Sequence, residues 1–503
     1  MTSQRDQNIR GTNEVDLTRR QSFLILVGIV LGVLMGALDN LIVSTAMPAI
    51  VSALHQPEGL PFLIDAYITS SAVGMVIFGK LSDHYSKKFI LIMTLAVFIS
   101  GSISAGMSQN ISELILFRVV QGLGAGGFLP VGLTVIAIIL PPKARARITG
   151  IVTSFIGIAI VAGPEVGAYI VSSTSWRWVF YVNIPFGILS LMIIIAILGQ
   201  LGPMLVKKFD TLGSILLTVW VSLLIFPLVE MVYSGWSLYD PLTIILVSSA
   251  LLTLLLFLYV EIRIAPEPLI PVRMFRMKTI TADSLLSFFR GGVLFSLSTF
   301  IAIFVTEVLV GTASTLRDVL YGFVVPMVVG SIAGGMLLPK FSYRALCVAG
   351  MVLMALGFVP LMTISPDTQP FIFVGPLPVL GLVEGLIPIG FGIGFTLSAT
   401  TISAQYSAEP MDIGASTSIV QFMGNIGGSV ILSALTVFLY LKYESLNSMS
   451  TIGSVKLNQY GVNELAMSSA MHASFLVLLI LSLVALISAF FIEGHLPVMP
   501  HKK

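Results

Sequence analysis

Fourteen apolar stretches, each long enough to cross a lipid bilayer, follow one another along these 503 residues. They fall at 21–48, 60–80, 88–107, 112–139, 148–171, 176–200, 211–232, 241–260, 280–305, 317–338, 345–363, 374–399, 412–440 and 468–491. A spanning helix needs about 20 predominantly apolar residues. Hydrocarbon offers a backbone amide no partner, so each stretch must satisfy its own hydrogen bonds as a helix. The chain is therefore expected to be an all-α integral membrane protein with 14 transmembrane helices. Only 10% of its residues are charged, against about 25% in soluble domains. Several stretches are longer than the bilayer demands, which predicts tilt or extension past the interface.

The basic residues fix an orientation. With the N- and C-termini in the cytoplasm, twenty Lys and Arg fall in cytoplasmic segments and four (Arg177, Arg317, Lys442, Lys456) outside. Arg118 and Arg290 lie within helices. This is the positive-inside pattern, and a missed span would scramble it. The net charge of +2 is thus no sign of a nucleic-acid partner. A single cysteine, Cys347, excludes an internal disulfide and a cysteine-based metal cluster and is read as packing. The N-terminus shows no cleavable signal pattern, so its first apolar run is the first span.

The spans group into a cytoplasmic tail at 1–20, a six-helix bundle at 21–200, an inserted helix pair at 211–260, a Pro-rich basic cytoplasmic linker at 261–279, a second six-helix bundle at 280–491 and a tail at 492–503. A polar external loop occupies about 441–467. The stretches GKLSDHYSKKFILI (79–92) and GGMLLPKFSYRALCVAG (334–350) share a glycine, a short apolar step, a basic turn and a new helix. A repeated six-helix half is common in secondary transporters, with the substrate site between the halves.

Several motifs carry a closer likeness. The fifth span holds GIAIVAGPEVGAYI (157–170). Gly157, Gly163 and Gly167 allow close helix approach, and Pro164 removes a backbone donor and bends the helix. The stretch resembles the antiporter motif of the major facilitator superfamily, with Ala168 in place of the last glycine and Glu165 where an apolar residue is usual. LDNLIVSTAMP (38–48), the 79–92 loop, FRVVQGLGAGGFLPVG (117–132), SWRWVFYVNIPFGI (175–188), FDTLGS (209–214), EIRIAPEPLIPVRMF (261–275) and GASTSIVQFMGNIGGS (414–429) resemble the 14-helix drug:proton antiporters of that superfamily. The resemblance implies an inner-gate latch at Gly79, Asp83, Lys87 and Lys88, although His84 and Ser86 depart from the usual arginine and glycine. It links Arg118 to proton transfer. The 414–429 stretch lacks the arginine often found there.

An acid in an apolar helix is costly unless paired, solvated or protonated, which makes Asp39 a candidate proton carrier. Asp39 lies nine residues before Pro48, Arg118 seven after Ile111 and Glu165 six before Val171. Each is then about 9–14 Å from the outer end of its helix. The three are expected to meet in one cavity, with Asp39–Arg118 the preferred pair. Glu165 is either a second titrating site or counter-charge, or it reaches outward. Structural pairing is the rival reading for each charge. Asn40, Gln121, Arg290, Glu384, Gln421 and Asn425 are candidates for a substrate cavity. Trp176 and Trp178 suit the membrane interface, and 31 Phe and 22 Met suit a pliable apolar pocket as well as lipid-facing packing.

Enzymatic chemistry finds no support. His55, His84, His472, His495 and His501 sit at loops or helix ends, and neither H-E-x-x-H nor G-x-x-x-x-G-K-[ST] occurs. No cofactor or metal is expected. The resemblance implies a secondary active exporter of the cell membrane, monomeric, moving amphipathic or lipophilic, often cationic, small molecules in exchange for protons. The alternatives are a proton-independent or symport-type facilitator of a small metabolite and, more remotely, a sensor with a transporter fold.

Overall fold

The computed structural model describes residues 18–54, 60–198, 209–233, 236–309, 311–362, 378–449 and 463–495. The described residues contain no β-strand. Fourteen helical spans cross the molecule: α1 (Arg19–Leu54), α2 (Phe62–His84), α3 (Lys87–Met107), α4 (Ile111–Ile139), α5 (Pro142–Ser173), α6 (Trp178–Ile197), α7 (Thr211–Met231), α8 (Pro241–Ile264), α9 (Lys278–Val308), α10 (Ser314–Leu337), α11 (Tyr343–Leu361), α12 (Gly381–Ser407), α13 (Pro410–Asn447) and α14 (Glu464–Ala489). The lysines and arginines of the connections gather at one end of the bundle, hereafter the basic end. The tails 1–17 and 496–503 lie outside the described residues.

Local chemistry sets several helix starts. Asn110 accepts the Glu113 amide at 2.9 Å, and the Glu113 carboxylate reaches back to the Gln109 amide at 2.8 Å. Two donors that the first turn of α4 would leave open are thereby satisfied. Ser342 and Asn463 cap α11 and α14 in the same way. Pro48, Pro130, Pro164, Pro227, Pro326, Pro360 and Pro388 each lie inside a span and remove one ladder bond.

Packing repeats with a shift of eight helices. In the first half α1 packs on α5 and α6, α2 on α4, and α3 on α4 and α6. In the second, α9 packs on α13 and α14, α10 on α12, and α11 on α12 and α14. The main contacts between halves, α2 with α13 and α5 with α10, exchange under the same shift, as do the smaller ones of α4 with α13 and α5 with α12. The core is thus a pair of six-helix bundles about a pseudo-twofold axis. The pair α7–α8 has no counterpart in that scheme. α7 leans on both α2 and α13, through Phe226 against Phe62 and Trp220 against Phe422.

Two boundaries and one tryptophan show where the structure departs from the sequence expectation. The twelfth span ends at Ser407, eight residues beyond the expected 399. Its added turns, TISAQYS, are polar in sequence but buried between helices through Thr401, Ser403 and Gln405. α13 continues to Met449 into the stretch expected to be an external loop, whose remainder, 450–462, lies outside the described residues. Trp176 is buried and stacks edge-on against Phe180 rather than anchoring an interface, whereas Trp178 is exposed.

Candidate functional site

In the first half, four helices bring one carboxylate into a ring of donors. Arg118 of α4 donates from Nη1 to Asp39 Oδ2 of α1 at 2.5 Å and to Gln121 Oε1 at 2.8 Å. Gln121 lies three residues after Arg118, on the same helix face. Its Nε2 donates to Asp39 Oδ1 at 2.7 Å and to Ser102 Oγ of α3 at 2.6 Å. Asn183 of α6 donates to the same Asp39 oxygen at 2.7 Å. Asp39 is fully buried and Arg118 all but so. The Tyr67 ring lies 3.9 Å under the guanidinium, and its hydroxyl donates to the Gly36 carbonyl at 3.0 Å. Arg118 Nε is buried without a hydrogen-bond partner. The opposite charge of Arg118 and the amide donors of Gln121 and Asn183 offset the desolvation of the Asp39 carboxyl.

The tight fit follows from glycine. A Cβ on Gly101 would stand 2.5 Å from the Gln121 amide nitrogen, so α3 can approach α4 here only without a side chain. On α5, a Cβ on Gly163 would meet Leu41 at 2.5 Å and one on Gly167 the Ile42 carbonyl at 2.8 Å, both on α1. Gly157 instead faces α10, where a Cβ would meet Met327 at 2.6 Å. The glycines around Pro164 therefore seat α5 against its own half and against the other.

Glu165 does not join the network. Its side chain is 52% exposed and stands 4.0 Å from Arg317 of α10. Equal depth brought it level with Asp39 and Arg118, but not to the same azimuth. Two residues along a helix turn about 200°, so Glu165 points away from the face on which Gly163 and Gly167 meet α1.

The expected latch residues divide between two tasks. Asp83 crosses to the second half, where its carboxylate accepts the Gly414 and Ala415 amides, both at 2.8 Å. It caps the positive N-terminal end of α13. Asp412 beside it lies 3.9 Å from Lys80 and 2.6 Å from Arg273. A Cβ on Gly79 would run into Ser418 of α13. Lys87 is buried at the start of α3. Lys88 turns the other way and donates to the Ile195 carbonyl at 2.7 Å, tying off α6 within its own half. The second seam holds Arg145 of α5, whose Nε and Nη2 both donate to Gln405 Oε1, at 3.0 and 2.5 Å, with Tyr406 stacked 4.1 Å away. The halves are thus joined at the basic end on both seams.

The remaining candidates lie apart from the Asp39 network. Arg290 is buried and donates to the Thr396 carbonyl at 3.0 Å and to Thr400 Oγ1 at 2.9 Å. Gln421 donates to Thr401 at 3.2 Å, and Asn425 reaches Met75 Sδ across the seam at 3.0 Å. Asn40 and Glu384 are half-buried. No group of His, Cys, Asp and Glu able to hold a metal occurs among the described residues. Sequence reasoning missed Asn183, Ser102, Asp412, Arg145 and Gln405. Asn183 had a signal, as a lone amide inside the apolar run VFYVNIPFGI.

Comparison with known proteins accords with this architecture. The Major Facilitator Superfamily model matches residues 29–432. "Multidrug resistance protein 3" of Bacillus subtilis (strain 168) is 33% identical over 80% of this chain and 77% of its own length. "Multidrug transporter protein MdtP" of the same organism is 31% identical over 82% and 74%. Among solved structures, the proton:xylose symporter XylE bound to 6-bromo-6-deoxy-D-glucose aligns with a TM-score of 0.57 at 14% identity, covering 91% of this chain and 94% of that one. The human organic anion transporter MFSD10 (TETRAN) aligns with a TM-score of 0.58 at 14% identity, covering 92% and 99%. With the superfamily's fold, its twofold core and relatives of this closeness, this chain is a multi-pass membrane transporter, not an enzyme, and belongs to the major facilitator superfamily.

Proposed function

We propose that the protein is a proton-driven exporter of the cell membrane that expels amphipathic or lipophilic, often cationic, compounds by alternating access, working as a monomer. The observation that carries this reading is the buried Asp39–Arg118–Gln121–Asn183 ring. Here a single proton would rewrite the bonding of α1, α3, α4 and α6 together. Protonation of Asp39 cancels the charge that holds Arg118 and turns one accepting oxygen into a donor. Arg118 would then keep Gln121 and the Tyr67 face, and the helices would be free to shift. The basic end lies in the cytoplasm in this reading, so the contacts at Asp83 and Arg145 shut the cytoplasmic side. The names of the two bacillary relatives favour drugs as substrates.

The test uses purified protein in liposomes with an imposed pH gradient and ethidium as the transported dye. Wild type should move ethidium against its gradient, and Asp39→Asn should lose that response while still exchanging dye down its gradient. Undiminished pH-driven transport by Asp39→Asn would remove Asp39 from the proton path. Dye exchange indifferent to the pH gradient in wild type would favour a facilitator.

A further inference from the structure

A second intramembrane carboxylate, in the other half, has an environment opposite to that of Asp39. Asp283 lies five residues into α9, about 8 Å along the axis from its basic end. It is completely buried, and neither carboxyl oxygen has a hydrogen-bond partner. The Ser403 hydroxyl of α12, itself unbonded, faces it without closing a bond of ordinary geometry. Tyr343 and Cys347 of α11 stand close enough to feel its charge. The Tyr343 hydroxyl is also buried without a partner. Beyond Tyr343 lie Arg145 and Tyr406, the pair that closes the α5 seam.

The cations near Asp283 are otherwise engaged. Arg290 lies two turns further along α9, and its Nη1 is bonded to Thr396 and Thr400 rather than to Asp283. Arg145 is committed to Gln405 and the Tyr406 ring. α13 and α14 also pack on α9 but carry no charged side chain over the halves nearer the basic end, apart from Asp412 at the start of α13, which is engaged by Arg273. The basic-end half of α10 carries none either. Glu493 meets α9 only at its exposed start, where its amide donates to Thr279 Oγ1 at 3.4 Å. An ionised carboxylate here would be a buried charge accepting no hydrogen bond and in contact with no cation, which a protein interior tolerates poorly. A neutral acid fits, and its O–H can use the unbonded Ser403.

We propose that Asp283 is a second proton-carrying group, a neutral carboxylic acid while the basic end is closed, which releases its proton to water there when the Arg145–Gln405 contact opens. The step is an ionisation. The Asp283 O–H bond breaks, the electron pair stays on the carboxylate, the proton leaves on water, and the already charged Arg290 supplies the counter-charge. Ser403 and Tyr343 offer the hydroxyls through which water can reach the group. Only the role of this proton in coupling rests on the exporter reading; the neutral acid stands without it.

The neutral form can be seen without substrate. An infrared spectrum of the purified protein, with aspartate carboxyl groups isotopically labelled and at an alkaline pH where the less deeply isolated carboxyls are ionised, should show the C=O stretch of a neutral aspartic acid. That band should vanish in Asp283→Asn and persist in Asp39→Asn. Asparagine mimics the protonated acid in shape and charge, so this variant is expected to fold; Asp283→Ser provides the same test. A wild type without the band, or variants at Asp283 that keep it, would overturn the proposal whatever becomes of proton-driven export. In liposomes, Asp283→Asn should exchange ethidium down its gradient but lose at least ten-fold of the pH-driven rate. An unchanged pH-driven rate would show that Asp283 holds its proton without carrying it, and would equally overturn the proposal.

Discussion

Asp83 offers the sharpest quantitative test of how the basic end is held shut. Its buried carboxylate accepts two backbone amides of the first turn of α13. A hydrogen bond to a charged group contributes about 1.5–3 kcal/mol. Asp83→Asn keeps one accepting oxygen but loses the charge and the second acceptor, so the closed arrangement should lose about 2 kcal/mol. That corresponds to about a thirty-fold shift in the closed-to-open ratio. Asp83→Ala loses both bonds and should shift it further. The assay is a distance measurement between spin labels at Arg147→Cys on α5 and Lys340→Cys beyond α10, both exposed positions at the basic end, in a Cys347→Ala background. The long-distance population should grow in Asp83→Asn and grow again in Asp83→Ala. Arg273→Ala is the control. Its side chain is 63% exposed, so its pairing with Asp412 should matter by well under 1 kcal/mol. Identical distance distributions in wild type and Asp83→Ala would refute the argument that this cap holds the halves together.

Three further outcomes follow from the same geometry. Asn183→Ala removes one donor from the buried Asp39 carboxylate and should cost about 1.5–3 kcal/mol of stability, read as a lower thermal midpoint in detergent. Glu165→Gln should leave transport within about two-fold of wild type, because its contact to Arg317 is exposed and such pairs contribute about 0–1 kcal/mol; a ten-fold loss would restore Glu165 to the transport path. Gly150→Leu places a side chain against the Ser331 carbonyl and Gly335, so the α5 seam should fail to close, and labels at the basic end should report the open distance throughout.

Much of the fold could be read from apolar length alone, since hydrocarbon leaves a long apolar stretch no structure but a helix. The Asp39–Arg118 pair was legible for a related reason: two opposite charges at one depth in apolar helices have little choice but each other. What failed was information that depth does not contain. Glu165 shares the depth but not the azimuth. Asp283 escaped because, five residues into α9, it reads as an interfacial residue, and it is the packing of other helices around α9 that buries it. The last turns of α12 read as loop because Thr401, Ser403 and Gln405 are polar, yet they face protein rather than lipid. Polar patterning marks the end of a span only where the helix meets water.

The inserted helices give this symmetric core an asymmetric outline. α7 lies along α2 and α13, and α8 packs chiefly on α7, turning Leu251, Leu252 and Leu255 outward. Among the described residues nothing comparable lies over the seam of α5 and α10. A lipophilic compound dissolved in the surrounding bilayer would therefore find one flank roofed and the other bare, and any lateral doorway from the lipid has its unobstructed side at α5 and α10.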